Sequence, residues 1–365
     1  MRIGILGANG QVGAEVCLLL SQQAGIDVVP ICRSRLGSAF LRFSGVACRH
    51  GDPTDPEQSA LLYGDCDVVA DFSLASLVPD YHVAKQTHNR LIRNVAQYAS
   101  QSTKMVYFST QSVYGDAHVH QRIVFRDIYG HEKYRCEKVV RRYATQFGRK
   151  AYVFRLGHVC GELQSITRNI RKSIASEAIP VPDLGRASNT VHVATITEAI
   201  LKVASDQAEP GTFDLMNVPQ WSWKDVLQFE GRKIGIEPKF EKCFERTGLG
   251  PAQLVRGALM QALRGLVDSR VPRKVSSRLL PMLPTEWNLR IKAAYSEQSA
   301  AAEIAKLHCT QEPMEATLYK PVGKRFLEGL TPTAKLLADP RFNLPDHDKG
   351  RGWPEDLPFA SAASR

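Results

Sequence analysis

Apolar and polar positions along the first half of the chain follow two periods, one typical of strands and one typical of helices. Six short segments are predicted strands of a parallel sheet, namely residues 3–6, 27–31, 45–50, 67–72, 104–108 and 150–156. Helical spacing follows the first of them over Val12–Leu20, and residues 82–99 are predicted to form a helix long enough to cross a sheet. The alternation predicts an α/β fold built on a doubly wound parallel sheet.

The order is looser beyond residue 162. Shorter elements are predicted there, namely helices at 166–175, 195–204 and 223–229, a strand at 189–193, and extended pieces at 180–182 and 211–217. Ser222 is a candidate N-cap for the last of these helices. An apolar stripe from Leu254 to Val267 is typical of a packed core or a dimer face. We therefore expect a smaller, mostly helical C-terminal part.

Glycines mark the turn after the first strand. Gly7, Gly10 and Gly13 are spaced GxxGxxG and open the first helix. Glycine permits a tight turn and lets backbone N–H groups approach a pyrophosphate, while the helix N-terminus adds partial positive charge. An ordinary βα loop is the alternative, but a turn directly after a first strand favours dinucleotide binding. The residues assigned to this part of the site are Gly7, Asn9, Gly10, Gln11, Val12 and Gly13.

The end of the second strand indicates which dinucleotide is bound. An acidic residue there would bond the ribose hydroxyls of NAD, whereas an arginine accommodates the 2′-phosphate of NADP. Arg33 lies at the required distance from the glycines and favours NADP, unless it is merely a solvated surface arginine. Further cofactor contacts are predicted near strand ends, from Ser34, Asp52, Phe72, Ser73 and His158.

Tyr129 and Lys133 form a YxxxK pair at the start of a predicted amphipathic helix. Residues four apart share a helix face, so the two side chains are neighbours. A tyrosine hydroxyl has an ordinary pKa of about 10, so a cation must stabilise its phenolate before it acts as a general base at neutral pH. Lys133 can supply that cation and can bond the nicotinamide ribose. Thr110, with Ser109 and Ser112 behind it, is the candidate second donor to the reacting oxygen.

The same spacing occurs a second time. Tyr134 and Lys138 repeat the YxxxK pattern, and a surface Tyr-Lys pair is what chance supplies in many helices. Tyr129 differs because it opens the helix near the carboxyl edge of the predicted sheet, whereas Tyr134 lies a turn or more inside. We therefore assign the catalytic pair to Tyr129 and Lys133.

Composition narrows the classes of protein. The 365 residues are 44% hydrophobic with a net charge of +10, and residues 231–300 carry 13 Lys/Arg against 6 Asp/Glu. Aromatic residues do not interleave with a basic stripe, so nucleic-acid binding is not expected. Eight cysteines lack metal-ligand spacing, so we expect a reducing compartment, no disulfides and no metal site. The sequence shows neither a secretory signal nor a bilayer-spanning segment, which predicts a cytoplasmic protein.

With these residues in place, the chain resembles the extended short-chain dehydrogenase/reductase family, the NAD(P)-dependent epimerase/dehydratase group that acts largely on nucleotide sugars. The resemblance covers about residues 1–228 and rests on residues 7–13, 108–115, 129–133 with Glu137, 155–161 and 191–193. It implies a Rossmann fold and an enzyme. It also implies the hydroxyl role for Thr110, the acid/base role for Tyr129, the cofactor-ribose role for Lys133, and pyrophosphate binding by the three glycines.

Departures from the family pattern narrow the reaction. Sugar-nucleotide 4,6-dehydratases follow the threonine with an Asp-Glu pair, and here Gln111 and Ser112 occupy those positions. Neither side chain can serve as that acid or base, which disfavours a 4,6-dehydratase. The arginine that often precedes the VHV segment is out of register, and the nearest is Arg186. We assign Gln111, Ser112 and Arg186 to the substrate end of the site.

The leading interpretation is an NADP-preferring enzyme, with NAD also possible, that moves a hydride to or from a carbon of a nucleotide sugar as a 4-keto reductase or 4-epimerase. Residues 1–162 are predicted to form the Rossmann domain, with later insertions around 189–218. Residues 163–345 are assigned to the substrate-binding and C-terminal helical region, and residues 346–365 to a disordered tail. We expect a homodimer.

Two other interpretations remain open. In the first, the same core acts on a hydrophobic alcohol or ketone, and the basic stripe at 254–267 makes a peripheral membrane contact. In the second, the chain is a non-catalytic NADP-binding regulatory or scaffold module. Such relatives commonly lose the tyrosine or the lysine, and this chain keeps both.

Overall fold

The computed structural model describes residues 1–74, 81–114, 128–176, 179–181, 187–242, 323–326 and 329–344. Its strands are β1 (Arg2–Leu6), β2 (Asp27–Cys32), β3 (Arg49–His50), β4 (Val68–Asp71), β5 (Lys104–Thr110), β6 (Ala151–Leu156), β7 (His158–Cys160), β8 (Ile179–Val181), β9 (Thr190–His192), β10 (Gly211–Leu215) and β11 (Phe240–Lys242). Its helices are α1 (Gln11–Ser21), α2 (Ala39–Phe43), α3 (Pro56–Tyr63), α4 (Tyr81–Tyr98), α5 (Ile128–Gln146), α6 (Ser165–Ser176), α7 (Val193–Ala204), α8 (Trp223–Lys233) and α9 (Thr333–Ala338).

Seven strands form one sheet in the order β10-β6-β5-β4-β1-β2-β3, and every neighbouring pair is parallel. Its central strands β1, β4 and β5 are buried on both faces, as a sheet covered on both sides requires. Val106 and Phe108 of β5 point into the core layer shared with α1 and α7, while Met105 and Tyr107 point into the layer shared with α3, α4 and α5. The chain is therefore a doubly wound α/β fold of the Rossmann type.

The strand order reverses between β1 and β4. From β1 the chain builds outward through β2 and β3, and it then returns to place β4 on the other side of β1. The loops that leave the carboxyl ends of β1 and β4 consequently diverge and open a crevice, which is where doubly wound sheets bind ligands. Gly7 follows β1 and Phe72 follows β4, so both lie at this crevice.

The predicted elements differ from the structure in three places. The predicted sheet of six strands gains a seventh, because residues 211–215 pair with β6. The strand predicted over 45–50 is too long, since only Arg49–His50 pair with β2. The strand predicted over 104–108 is too short, because β5 runs through Thr110 before a 3-10 turn over Gln111–Tyr114.

Several other predictions are confirmed or lie outside the described residues. Ser222 caps α8, because its Oγ accepts from the N–H of Asp225 at 3.2 Å and the Asp225 carboxylate accepts from the N–H of Ser222 at 2.8 Å. Residues 323–326 return to the sheet edge beside β10, and α9 packs on α7, where Thr195 and Thr333 share a hydrogen bond of 3.0 Å.

The stripe at 254–267 and the tail at 346–365 are not among the described residues. None of the described helices has the length and hydrophobicity of a membrane-spanning helix.

Candidate active site

The glycine turn is shaped by close backbone contacts at the crevice. Gly7 has a φ of +74°, and a Cβ on it would lie 2.8 Å from the carbonyl carbon of Phe72. A Cβ on Gly13 would overlap the carbonyl oxygen of Gly7. Gly10 donates its N–H to that same oxygen at 2.9 Å and starts α1 without a side-chain cap. The uncapped first turn of α1 therefore faces the crevice with the partial positive charge that an anion prefers.

One cavity of about 310 Å³ joins this turn to the predicted catalytic residues. Its walls come from the ends of β1, β4, β5 and β6 and from the start of α5. Lining residues are Gly7, Gly10, Gln11, Val12, Gly13, Phe72, Phe108, Ser109, Thr110, Tyr129, Lys133, Leu156, Gly157, Val159 and Gln164. The structure thus brings together five of the predicted glycine-turn residues, Phe72 and all three predicted catalytic residues.

Lys133 is buried and lines this cavity. Its Nζ donates a 2.8 Å hydrogen bond to the carbonyl oxygen of Phe108 and lies 4.8 Å from the centre of the Tyr107 ring. Burial lowers the pKa of Lys133, and the charge of nearby Asp71 opposes that shift more than any other group does. Asp71 ends β4 and is itself buried, which raises the pKa of its carboxyl.

Thr110 ends β5 opposite Leu156 of β6. Its Oγ1 accepts a hydrogen bond from the backbone N–H of Ser112 and bonds the Ser112 hydroxyl, both at 3.2 Å. The 3-10 turn that follows β5 therefore orients the hydroxyl of Thr110, which lines the cavity with Tyr129 and Lys133.

A buried polar network lies behind these residues. Glu137, one turn after Lys133, accepts from Ser109 Oγ at 2.6 Å and from two nitrogens of Arg155 at 2.9 and 2.7 Å. Arg155 also donates to the Tyr114 hydroxyl at 3.0 Å, and that hydroxyl donates to Asp214 at 2.6 Å. The network fixes α5 against the ends of β5, β6 and β10.

Glu132 belongs to a second buried cluster between α4 and α5. Its carboxylate accepts from two nitrogens of Arg135 at 2.9 and 2.5 Å and lies 2.8 Å from His88 Nδ1. Potential ligand atoms of His88, Glu132 and Cys136 lie within 4.8 Å of one another. Because both carboxylate oxygens bond Arg135, this is the geometry of a hydrogen-bonded ion pair.

The second Tyr-Lys pair lies on a different side of α5. Lys138 is exposed, and its ammonium lies 4.4 Å from the centre of the Tyr134 ring. Neither residue lines the cavity that contains Tyr129 and Lys133. The two copies of the motif are therefore separated by burial and position, although their spacing is identical.

Four further residues predicted to bind the cofactor lie just beyond the ends of β1, β2 and β3, namely Asn9, Arg33, Ser34 and Asp52. Arg33 and Ser34 are exposed, and Ser34 Oγ accepts from the N–H of Gly37 at 3.0 Å. The Asn9 amide lies over that turn, 3.3 Å from where a Cβ on Gly37 would be. The carboxylate of Asp52 bonds the backbone N–H and the hydroxyl of Thr54, each at 2.8 Å. Asp52 thus shapes the loop after β3.

Ser73 and His158 are also placed near strand ends. The N–H of Ser73 donates to Asp71 at 2.8 Å just beyond β4. The N–H of His158 donates to the carbonyl oxygen of Asn189 at 3.2 Å, and its ring lies 5.7 Å from that of Trp223. Neither residue lines the cavity in the described part of the chain.

The predicted substrate-end residues Gln111 and Ser112 are both buried beside Thr110, whereas Arg186 lies outside the described residues. The side-chain oxygen of Gln111 lies 3.2 Å from where a Cβ on Gly157 would be. A Cβ there would also overlap the carbonyl oxygen of Asn189. Gln111 and Asn189 therefore meet at Gly157, on the wall of the cavity.

Sequence reasoning missed Gln164 and Glu15. Gln164 lines the cavity, and its amide donates to the buried carboxylate of Glu15 at 2.8 Å. A glutamate on the apolar face of the α1 pattern was the available signal, because a buried charge needs partners. The partners lie about 150 positions along the chain and were not evident from local spacing.

The fold, the glycine turn and the adjoining tyrosine and lysine are those of the extended short-chain dehydrogenase/reductase class. A sequence model of the NAD-dependent epimerase/dehydratase family matches residues 3–218, and the chain belongs to this family. No curated protein matches the sequence.

Three solved structures with a similar fold are described as 4-epimerases. UDP-glucose 4-epimerase of Thermus thermophilus, in complex with NAD, is 19% identical with a TM-score of 0.50, covering 71% of this chain and 93% of that one. UDP-glucuronic acid 4-epimerase of Bacillus cereus, in complex with NAD, is 16% identical with a TM-score of 0.51, covering 67% and 87%. UDP-N-acetylglucosamine 4-epimerase of Bacillus cereus is 18% identical with a TM-score of 0.50, covering 66% and 87%. At these identities the similarity shows the fold.

Proposed function

We propose that the chain is an NAD(P)-dependent enzyme that moves a hydride to and from a carbon of a nucleotide sugar. The first candidate reaction is 4-epimerisation and the second is reduction of a 4-keto sugar. The observation that carries this proposal is that one cavity joins the glycine turn to Thr110, Tyr129 and Lys133. A cofactor on the turn and a hydroxyl-bearing carbon beside the tyrosine would meet in that space.

The residues present fit a dinucleotide. Gly7 and Gly13 leave no room for side chains, and α1 starts without a side-chain cap, so backbone N–H groups of this turn would hold the diphosphate. Lys133 would bond the nicotinamide ribose at the other end of the cavity. When bound, the nicotinamide supplies reversible hydride transfer.

The proton chemistry falls to three side chains. Tyr129 would take the proton from the sugar hydroxyl as its carbon loses hydride, and would return it when hydride comes back. Lys133 would stabilise the phenolate, and Thr110 would donate a hydrogen bond to the same substrate oxygen. The bond from Lys133 to Phe108 holds the ammonium in place for this role.

Buried polar atoms close to Gly157 support a hydroxyl-rich ligand. Gln111 Nε2 and Gln220 Oε1 are buried and have no hydrogen-bond partner within the described ranges. Gln111 lies beside Gly157, which lines the cavity, and Gln220 donates to Asn189 Oδ1 at 3.4 Å. Each such group costs about 1–3 kcal/mol when left unsatisfied, and sugar hydroxyls both donate and accept. The amide of Gln111 cannot act as an acid or base, so we disfavour a 4,6-dehydratase.

The choice between the two reactions depends on the cofactor. The matching family is NAD-dependent, and two of the similar structures contain NAD, which supports an epimerase. Arg33, exposed at the end of β2 beside Ser34, supports NADP and hence a reductase, because reductive biosynthesis draws on NADPH. The NADP preference assigned to Arg33 is tested by measuring the affinities of an Arg33→Ala variant for NADH and NADPH. A selective loss of NADPH affinity in Arg33→Ala, with no loss in Arg35→Ala, supports the NADP preference. If Arg33→Ala binds NADPH as tightly as the unmodified protein does, Arg33 does not select NADP.

Turnover assays distinguish the reactions. Purified protein is incubated with UDP-glucose, UDP-glucuronic acid or UDP-N-acetylglucosamine and catalytic NAD⁺, and separately with NADPH and a 4-keto nucleotide sugar. Isomerised sugar with no net change in cofactor identifies an epimerase, and net loss of NADPH identifies a reductase. Dinucleotide binding without turnover of any sugar nucleotide would instead favour the regulatory module.

A further inference from the structure

Two acceptor side chains on α1 hold the segment that enters α6. Glu15 is 1% exposed, and its carboxylate accepts from the N–H of Glu162 at 2.7 Å and of Leu163 at 3.0 Å, besides the Gln164 amide at 2.8 Å. One turn earlier, Gln11 Oε1 accepts from the N–H of Ser165 at 3.1 Å. Residues four apart share a helix face, so α1 presents two acceptors in register with this segment.

The segment packs directly against the carboxylate of Glu15, without room for a side chain at Gly161. A Cβ on Gly161 would lie 2.5 Å from Glu15 Oε1, so the backbone lies directly on the carboxylate. Gln164 is 3% exposed and lines the same cavity as Gly10 and Gln11. Its position relative to the glycine turn therefore depends on Glu15.

We propose that Glu15 is a positioning residue that holds residues 161–165, and with them Gln164, against the glycine turn and thereby sets the affinity of the cavity for its dinucleotide. The inference rests on the proposed function in so far as the cavity binds NAD(P). A carboxylate offers acceptors to all three donors. A glutamine in its place has one oxygen and turns an NH₂ group towards an N–H, so at least one of these bonds is lost.

The ionisation of Glu15 gives this role a pH dependence. Burial raises the pKa of Glu15 to about 7. The titratable groups that face it among the described residues are Glu162 and the buried thiol of Cys160, and the Glu162 carboxylate is paired with Arg171 and Lys233. When Glu15 is neutral, one of its oxygens carries a proton towards a donor and that bond is lost. Dinucleotide affinity should therefore weaken as the pH falls through about 7.

Equilibrium binding of NADH and NADPH, followed by fluorescence from about pH 6 to about pH 8, tests the proposal. Glu15→Gln is expected to bind the preferred dinucleotide about tenfold more weakly at the upper pH, the loss of about one charge-assisted hydrogen bond, and to lack the pH dependence. Glu198→Gln is the matched control, because Glu198 is also buried and accepts from Thr331, away from the cavity. It is expected to bind as the unmodified protein does.

Gln164→Ala keeps Glu15 and covers the case in which Glu15→Gln does not fold. It too is expected to bind more weakly, and unchanged affinity in Gln164→Ala overturns the proposal. So does a Glu15→Gln variant with unchanged affinity and an unchanged pH profile. If the unmodified protein binds neither dinucleotide, the proposed function fails and this inference fails with it. If the unmodified protein binds a dinucleotide and the variants bind it equally well, the proposed function stands and only this inference fails.

Discussion

The ammonium of Lys133 donates a 2.8 Å hydrogen bond to the carbonyl oxygen of Phe108, two residues before Thr110 on β5. This bond joins the helix that carries Tyr129 to the strand that carries the hydroxyl. Since Tyr129 lies one turn before Lys133 on α5, the lysine fixes the tyrosine and Thr110 relative to each other as well as supplying charge.

Lys133→Met removes both the charge and this bond. We expect kcat to fall by about 10²–10⁴-fold, because the phenolate loses its stabilising cation. Steady-state kinetics with the active nucleotide sugar measure the loss, and circular dichroism confirms the fold. Lys138→Met, in the exposed copy of the motif, is the matched control and should keep its activity. Retention of half the activity in Lys133→Met would contradict the assigned role.

Arg155→Met removes both short hydrogen bonds from the guanidinium to the buried Glu137 carboxylate and leaves it only the exposed Arg141, 3.9 Å away. Breaking a buried ion pair from one side costs about 3–5 kcal/mol, so the midpoint of urea unfolding should shift strongly downwards. Arg341→Ala breaks the exposed pair with Asp339 and should leave the midpoint unchanged. Equal midpoints for the two variants would show that the Glu137 network does not hold α5 against the sheet.

Comparison of Gly13→Ala with Gly10→Ala shows whether the close backbone contact at Gly13 affects stability more than the mere replacement of a glycine does. A Cβ on Gly13 would overlap the Gly7 carbonyl oxygen, whereas a Cβ on Gly10 would lie 3.3 Å from the same atom at an ordinary φ of −82°. Gly13→Ala should therefore lower the melting temperature much more than Gly10→Ala. Differential scanning calorimetry makes the comparison, and similar melting temperatures would count against the turn geometry.

The free energy of unfolding of the cofactor-free protein should depend on pH through the ionisation of Glu15. Its pKa is raised from 4.5 to about 7, so the folded state holds the proton more tightly than the unfolded state does. The stabilisation of the folded state by the protonated Glu15 is fully present below about pH 4.5 and is lost as the pH rises through about 7. Relative to Glu15→Gln, the free energy of unfolding should thus fall by about 3 kcal/mol across that window, measured by urea titration. A difference between the two proteins that does not vary with pH would be inconsistent with a titrating Glu15.

The strands of the sheet and the positions of the candidate catalytic residues were predictable because the sequence signals for them are local. Apolar runs marked β1, β4 and β5, the glycines marked the turn, and the spacing of Tyr129 and Lys133 marked one face of a helix. β10 was harder to place, because its pairing with β6 joins residues about 60 positions apart and leaves no periodic trace.

The polar contacts between distant segments were not predictable for the same reason. Glu137 meets Arg155, and Glu15 meets Gln164, only because the fold brings segments that are distant in the sequence into contact. The sequence contained one usable hint, since glutamates on otherwise apolar helix faces need partners. It did not contain the identity of those partners.

Comparison of Tyr129→Phe with Tyr134→Phe shows which tyrosine is catalytic. The two residues share a helix and a YxxxK spacing, and only Tyr129 lines the cavity among the described residues. With the nucleotide sugar and cofactor found active, we expect Tyr129→Phe to lose at least about 10²-fold in kcat while still binding the dinucleotide. Tyr134→Phe should keep its activity. Full turnover by Tyr129→Phe, or equal losses in both variants, would contradict the assignment of Tyr129.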